Sequence, residues 1–205
     1  MKLEAVLCDI GNVAVFFDNE KTVRAFASLS KQPVDTVRRI MFSDGVGLLR
    51  RYESGKIDSA EFRRIVCARL NLSKREIPTD QTLFDAWTDV FTPNIAVLTK
   101  LCALWSHRIS IAAVSNIDEM RQRKLQQLGH LTIFDHLVMS WSEKLRKPSE
   151  ELMVRALDRC GTKAENTIFI DDITENLVPA AKLGIRTHQY VTTEAFDRFL
   201  ESCGA

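Results

Sequence analysis

Residues 5–13 read Ala-Val-Leu-Cys-Asp-Ile-Gly-Asn-Val, an apolar run that meets its first charged residue at Asp9. Short apolar runs that stop at a polar residue are typical of strands buried on both faces of a parallel sheet. Three later segments have the same form: residues 109–114 into Ser115-Asn116, residues 137–139 into Ser140, and residues 167–170 into Asp171-Asp172. These four segments predict the strands of a parallel sheet.

Helical patterns lie between the later strands. Residues 118–128, 148–160 and 176–183 each carry apolar residues at helical spacing, and each is followed directly by a glycine that can end a helix. Strands that alternate with helices predict an α/β fold, with a doubly wound, Rossmann-like parallel sheet as its core.

Residues 18–91 break this alternation and are predicted to be all-helical. Asp58-Ser59-Ala60-Glu61 resembles a capping box at the start of one helix, and Pro33, Gly45, Gly47, Gly55 and Pro78 supply turns. We therefore expect residues 1–17 and 92–205 to form the α/β core. Residues 18–91 would form a small helical cap inserted after the first strand.

Composition argues against several classes of partner. Among the 205 residues, 28 Lys and Arg balance 27 Asp and Glu, so no general electrostatic affinity for nucleic acid or an anionic membrane is expected. The apolar runs are shorter than the ~20 residues that cross a bilayer. Five cysteines without paired spacing, together with the lack of a signal-peptide pattern, favour a reducing compartment. We expect a cytoplasmic protein that binds neither nucleic acid nor membrane.

The polar residues at the strand ends predict a metal site. Ligands bind open parallel sheets at the carboxyl ends of the strands, where Asp9, Ser115-Asn116 and Asp171-Asp172 would converge. Carboxylates gathered in one crevice repel unless a cation neutralises them, and a hard, oxygen-ligated ion such as Mg²⁺ suits them. Metal, hydroxyl, amide and lysine groups together suit a phosphate.

Four motifs then resemble those of the haloacid dehalogenase superfamily in order, spacing and strand context. They are Asp9-Ile10-Gly11-Asn12-Val13, Ser115-Asn116, Lys147-Pro148, and Asp171-Asp172 followed by Asn176. The resemblance covers nearly the whole chain, and the helical insert resembles the small cap of these enzymes. Within the superfamily, the motifs are most similar to sugar-phosphate phosphatases of the α-glucose-1-phosphate type. They also resemble the N-terminal phosphatase domain of soluble epoxide hydrolases.

The resemblance implies a Mg²⁺-dependent phosphatase that acts on a small phosphorylated metabolite such as a sugar phosphate. Asp9 would attack phosphorus and form an aspartyl-phosphate, with Lys147 as the second catalytic residue. The metal ligands would be Asp9, the Gly11 carbonyl and Asp172, with Asp171 acting directly or indirectly. Ser115, Asn116 and Lys147 would bind the phosphoryl group.

Several alternatives stay open at this point. Asp9 could cap a turn, while Ser115, Asn116 or the Asp171-Asp172 pair could cap a helix. Lys144 and Arg146 compete with Lys147, which precedes Pro148, the expected first residue of a helix. Of the remaining basic groups, the cap arginine pairs are either substrate contacts or solvated, and residues 121–124 are expected to be an exposed helix face.

One departure from the family pattern concerns Gly11, where these phosphatases usually place a second aspartate as general acid and base. Loss of that group costs about 10²–10⁴ in rate unless the leaving group departs easily or another group donates the proton. A 2-haloacid dehalogenase and a non-catalytic protein that binds a phospho-ligand or a partner are therefore alternatives. Because the insert is short, we expect it to cover the site closely and to favour small substrates. The protein is expected to be a monomer or a homodimer.

Overall fold

A computed structural model describes residues 2–43, 47–72 and 79–204. The strands are β1 Ala5–Cys8, β2 Val15–Phe17, β3 Phe91–Pro93, β4 Ser110–Ser115, β5 His136–Met139, β6 Thr167–Asp171 and β7 Arg186–Gln189. The helices are α1 Asn19–Ser30, α2 Val34–Phe42, α3 Leu48–Glu53, α4 Ser59–Arg69, α5 Asp80–Thr88, α6 Ile95–Ser106, α7 Glu119–Gln127, α8 Ser140–Glu143, α9 Glu150–Cys160, α10 Thr174–Lys182 and α11 Thr193–Cys203. A short 3₁₀ turn spans Ala164–Asn166.

A five-stranded parallel sheet in the order β5-β4-β1-β6-β7 forms the centre of the molecule. Cys8, the last residue of β1, pairs with Ala113 of β4 on one side and Ile170 of β6 on the other. The carboxyl ends of these three strands therefore lie side by side. This register brings together the polar residues that follow them.

Helices cover both faces of the sheet. Residues of β1, β4 and β6 alternate between two hydrophobic clusters, one shared with α6 and α11 and the other with α9 and α10. All residues of β1 and β6 are buried, which explains why both read as continuous apolar runs. The α/β, doubly wound fold that the sequence predicted is confirmed.

Three strands were not predicted. The edge strand β7 has the sequence Arg-Thr-His-Gln and no buried residue, so it carries no apolar run. β2 and β3 are three-residue strands that pair antiparallel, with Phe17 opposite Phe91. They lie where the chain leaves the sheet for the helical stretch and where it returns.

Helices α1–α5 form a third hydrophobic cluster, which includes Phe62 and Trp87 and is joined by Met120 of α7. Asp58 caps the start of α4, since its carboxylate accepts a hydrogen bond from the Glu61 backbone; this is one of the two bonds of the predicted capping box. Two of the predicted turn residues, Gly45 and Pro78, fall outside the described residues. We propose, on the strength of the separate cluster, that residues 18–91 form the cap and that residues 1–17 and 92–205 form the core.

Membrane insertion finds no support among the helices described. Within residues 2–43, 47–72 and 79–204, no helix combines the length and apolarity needed to cross a bilayer.

Candidate active site

The carboxylates predicted at the strand ends meet at one point. Asp9 follows β1 directly, Asp171 ends β6, and Asp172 follows it. One oxygen of each carboxylate lies within 4.8 Å of the others. Elsewhere in the described ranges, no comparable group of three or more His, Cys, Asp or Glu side chains occurs. The sheet register therefore creates a local concentration of negative charge at its carboxyl edge.

Lys147 lies inside this cluster. Its ammonium is 2.8 Å from Asp9 Oδ1 and 2.6 Å from Asp171 Oδ2, and the residue is only 3% exposed. Burial alone would lower the pKa of Lys147, but the charges of Asp9 and Asp171 outweigh it and raise that pKa. For Asp9, burial and the charge of Asp171 raise the pKa against the opposing effect of Lys147. The lysine thus stays charged and partly neutralises the carboxylates.

The position of Lys147 differs in one respect from the sequence prediction. The helix was expected to begin at Pro148, but α9 begins at Glu150 and Ser149 caps it by accepting from the Leu152 backbone. Lys147 and Pro148, joined by a cis peptide bond, therefore belong to the preceding loop. The ammonium is held by the two carboxylates rather than by its place next to a helix end.

Asn116 holds the loop that carries this lysine. Its amide nitrogen donates to the Lys147 carbonyl at 3.0 Å, and its amide oxygen accepts from the Lys147 backbone at 2.8 Å. The side chain, which was expected to bind the phosphoryl group, therefore has both polar atoms in use. Ser115 ends β4 and is buried, and its side chain lowers the pKa of the Asp9 carboxyl, against the stronger effect of burial.

Asp171 and Asp172 have different surroundings. Asp171 is fully buried, and its Oδ1 accepts from the Ile173 backbone and the Asn176 amide, both at 2.9 Å, while its Oδ2 accepts from Lys147. Asp172 is partly exposed and accepts from the Asn12 amide at 3.2 Å. Asp171 is thus held in place through both oxygens, whereas Asp172 is the more accessible carboxylate.

The charge of the cluster fits a divalent cation. Three carboxylates and one ammonium leave two uncompensated negative charges in a largely buried site. Oxygen ligands crowded in this way suit a hard ion such as Mg²⁺. Within the described residues, the carboxylates of Asp9, Asp171 and Asp172 form the group of side chains that could hold it.

The loop after β1 shapes the space beside Asp9. Asn12 adopts a left-handed conformation with φ 55°, and its backbone donates to Val15, so the chain turns tightly. A Cβ on Gly11 would lie 2.8 Å from Cε1 of Phe17. The Phe17 ring therefore occupies the space that a side chain at position 11 would enter.

A cavity of about 200 Å³ opens beside the carboxylates, between the core and the cap. From residues 1–17 and 92–205 it is lined by Ile10, Gly11, Val15, Phe17, Ser115, Asn116, Ile117 and Arg121, and from residues 18–91 by Asn19, Leu49, Glu53 and Phe91. Its lining shares Gly11, Ser115 and Asn116 with the predicted site. This cavity is the space in which the rest of a substrate would lie.

The prediction that residues 121–124 form an exposed helix face is wrong for Arg121, which is 6% exposed. Its guanidinium lies 4.2 Å from the centre of the Trp87 ring and donates to the Asn19 side chain at 2.8 Å. Trp87 in turn donates to both oxygens of the buried Asp118 at 3.1 Å. Because Trp87 and Asn19 come from the cap, the local sequence around Arg121 gave no signal of its burial.

The competing basic residues have other partners. The Lys144 ammonium donates to the Gly55 carbonyl, and Arg146 forms a 2.7 Å ion pair with Glu53. Burial is the main reason that the pKa of Glu53 is raised, although Arg146 opposes it.

The arginine pairs of the cap are Arg38-Arg39, Arg50-Arg51 and Arg63-Arg64, and one member of each lies beside an acidic residue outside the carboxylate cluster. Arg38 pairs with Glu20 and Asp35, Arg51 lies 3.9 Å from Glu61, and Arg63 pairs with Asp80.

Comparison with known proteins places this geometry in a family. The chain is 26% identical to a D-ribitol-5-phosphate phosphatase of Bacteroides thetaiotaomicron over 196 residues, 91% of each chain. It is also 26% identical over 136 residues to the sesquiterpene phosphatase astK of Aspergillus oryzae, which covers 66% of this chain and 68% of that one. A haloacid dehalogenase (HAD) family enzyme of Bacteroides thetaiotaomicron has the same fold, with a TM-score of 0.78 at 21% identity. The match covers 92% of this chain and 94% of that one, whose structure was solved in complex with magnesium and inorganic phosphate.

The family model for haloacid dehalogenase-like hydrolases matches residues 5–184, which include every residue of the carboxylate cluster, Lys147 and the helical stretch. The resemblance inferred from the four motifs is confirmed: the chain belongs to the haloacid dehalogenase-like hydrolase family.

Proposed function

We propose that this hydrolase is a Mg²⁺-dependent phosphatase that transfers the phosphoryl group of a small phosphate monoester to Asp9 and then to water. The observation that carries the proposal is the buried lysine shared by two of three converging carboxylates, beside a cavity whose lining includes Gly11, Ser115 and Asn116. Two relatives that are named phosphatases support the same reaction.

In the first step an oxygen of Asp9 would form the bond to phosphorus while the bond to the leaving oxygen breaks. A hydrogen bond from the Ile10 backbone at 2.7 Å and the ammonium of Lys147 at 2.8 Å fix the orientation of the carboxylate. Lys147 would also stabilise negative charge on the phosphoryl oxygens, because its ammonium lies next to the attacking group. Asn116 would act indirectly, by positioning the Lys147 loop.

Mg²⁺, when bound, would neutralise the phosphate and orient it towards the nucleophile. Asp9, the Gly11 carbonyl and Asp172 would hold it. Asp171 would act through its neighbours, since both of its oxygens already accept hydrogen bonds from protein groups. It would orient Lys147 and thereby keep the ammonium on Asp9.

A dehalogenase is the weaker candidate. Dehalogenases of this superfamily do without the metal, whereas here Asp172 adds a third carboxylate beside Asp9 and leaves two negative charges for a cation. The non-catalytic alternative rests on Gly11 alone. We further propose, from the sequence and its five free thiols, that the enzyme is cytoplasmic and acts as a monomer or homodimer.

The test is hydrolysis of p-nitrophenyl phosphate with and without Mg²⁺ by the wild type, Asp9→Asn and Asp158→Asn. Asp158 is exposed on α9, which makes it a matched control for the loss of one carboxylate. Mg²⁺-dependent release of phosphate that Asp9→Asn abolishes and Asp158→Asn retains is the expected result. Halide release from a 2-haloacid without metal, or equal activity of wild type and Asp9→Asn, would contradict the proposal.

A further inference from the structure

A second groove, of about 300 Å³, lies between the segment around α3 and the loop that carries Lys147. Leu49 and Glu53, four residues apart on α3, line the cavity of the candidate active site. Arg50 and Arg51 line the second groove instead, so α3 presents a different face to each space. Among the described residues, the two linings have no member in common. A molecule in this groove would therefore occupy a site separate from the active site.

Positive charge is concentrated in this basic groove. Its basic lining residues are Arg50, Arg51, Lys56, Lys144 and Arg146, and the others are Gly47, Ser54, Leu145 and Ser149. In the part of the chain that the structure describes, no acidic side chain lines it. The whole chain has 28 Lys and Arg against 27 Asp and Glu, so a general excess of basic residues does not explain the concentration. It is a local property of the groove.

Neighbouring acids compensate only part of this charge. Arg146 forms a 2.7 Å ion pair with Glu53, and Arg51 lies 3.9 Å from Glu61. Within residues 2–43, 47–72 and 79–204, the groove cations that form no ion pair are Arg50, Lys56 and Lys144. Like charges gathered without counter-charges repel one another, and an anion in the groove would relieve that repulsion.

The cations come from two segments that meet at the groove. Residues 50–56 belong to the helical stretch, whereas residues 144–149 form the loop of the catalytic lysine. The segments are already in contact, since the Lys144 ammonium donates to the Gly55 carbonyl at 3.0 Å and the Ser140 hydroxyl donates to the Glu53 carbonyl. Ser149, which caps α9, adds the positive end of that helix to the lining. One bound anion would therefore contact both segments and help to hold them together.

From these observations we propose that the basic groove is a second ligand site, which binds a compact polyphosphate such as a diphosphate or triphosphate group. Arginine binds phosphate oxygens through pairs of parallel hydrogen bonds, and lysine adds a charged donor. A triphosphate group carries several negative charges within a few bonds, which matches five cations around one small groove. An acidic peptide spreads one charge over each residue and would reach fewer of them at once. Binding here does not depend on the phosphatase reaction, because the groove is separate from the active-site cavity.

Calorimetric titration of the whole protein with tripolyphosphate provides the first test. A chelator keeps metal from the active site, where the carboxylates then retain two uncompensated negative charges and repel a polyanion. Tripolyphosphate is expected to bind with a Kd that rises with salt, and inorganic phosphate and hexaglutamate should each bind at least about tenfold more weakly. Absence of binding, or equal binding of hexaglutamate, overturns the proposal.

Adenosine triphosphate, titrated in the same way, distinguishes two sources of the phosphate chain. Binding equal to that of tripolyphosphate supports recognition of the phosphates alone. Binding at least about tenfold tighter supports the site and identifies a nucleotide as the preferred source. Binding at least about tenfold weaker supports the site and identifies an inorganic polyphosphate.

Charge removal on one side of the groove locates the site. The double variant Arg50→Gln/Lys56→Gln replaces two exposed residues, so it should fold, and it should raise the Kd for tripolyphosphate at least about tenfold. Arg64→Gln/Lys182→Gln is the matched control, because it also removes two exposed cations but both lie outside the groove lining. Its Kd should stay within about threefold of the wild type. Equal weakening in both variants would mean a diffuse attraction to positive charge and would overturn the proposal.

Lys144→Gln tests the opposite side of the groove. Glutamine keeps a donor for the Gly55 carbonyl but lacks the charge, so the Kd for tripolyphosphate should rise about threefold or more. An unchanged Kd would place the anion on residues 50–56 alone and overturn its contact with both segments. If Lys144→Gln fails to fold, the Arg50→Gln/Lys56→Gln comparison decides whether the groove is the site.

Discussion

Replacing Lys147 with methionine removes the ammonium from between Asp9 and Asp171 and leaves a side chain of similar length. In the wild type this ammonium lies 2.8 Å from one carboxylate and 2.6 Å from the other, and all three residues are at most 6% exposed. In the variant, two buried carboxylates face each other without a cation. Breaking a buried ion pair by removing one partner costs about 3–5 kcal/mol in the free energy of unfolding.

The loss of folding free energy in Lys147→Met should be larger at high pH than at low pH. The pKa of Asp9 is already raised by burial and by Asp171, so the folded protein binds a proton more readily than the unfolded chain does. Stability from such a group is greatest at low pH and falls as the pH rises through the raised pKa. Without the opposing charge of Lys147, the pKa of Asp9 rises further, so the free energy of unfolding falls more as the pH rises. The destabilisation should be at least ~1 kcal/mol larger at about pH 8 than at about pH 5.5.

The assay is urea unfolding in the presence of a chelator at both pH values. Lys100→Met is the control, because Lys100 forms a more exposed ion pair with Asp197 that should contribute only about 0–1 kcal/mol. Adding Mg²⁺ should stabilise Lys147→Met if the ion binds the folded cluster. A loss below ~1 kcal/mol at about pH 8, or the same loss at both pH values, would refute the reasoning that Lys147 neutralises buried, ionised carboxylates.

Three more predictions follow from contacts around the cavity. Gly11→Ala places a methyl group 2.8 Å from the Phe17 ring and should lower the free energy of unfolding, measured with urea, by about 1–3 kcal/mol. The double variant Gly11→Ala/Phe17→Leu should recover part of that loss. Trp87→Phe removes the indole N–H that donates to both oxygens of Asp118, the buried carboxylate that caps α7, and should cost about 1–3 kcal/mol. Trp105→Phe, at an exposed position, should cost clearly less. Asn116→Ala should reduce kcat about tenfold or more, because it frees the loop that carries Lys147. The Mg²⁺ concentration for half-maximal activity should change less than about threefold. A shift in that concentration without a fall in kcat would contradict the positioning role.

The sequence predicted the sheet and the ends of its central strands because buried parallel strands are apolar on both faces. Asp9, Ser115 and Asp171 stand out as the first polar residues after such runs. Because the strands of a parallel sheet end at the same edge, these residues were expected to lie together there. The family motifs added Lys147, whose carboxylate contacts come from strands far away in the chain.

The parts that the sequence did not predict depend on contacts between distant segments. Arg121 lies among charged residues on α7 and is buried only because Trp87 and Asn19 cover it from the cap. β7 at the sheet edge has no buried residue and therefore no apolar pattern. The bonds of Asn116 to the Lys147 backbone depend on the shape of a loop that neither motif specifies.

The short ladder between β2 and β3 has a mechanical consequence. Both junctions between the helical stretch and the sheet pass through this one pair of strands, with Val15 opposite Pro93. A rotation about the ladder would carry α1–α5 away as a unit, while the nucleophile loop just before β2 stays with the sheet. Such a swing has to separate Trp87 from Asp118 and Glu53 from Arg146. The hydrogen bonds of Asn19 with Arg121 and of Tyr52 with Met120 would break in the same movement, so the ladder is a hinge that these polar contacts hold closed.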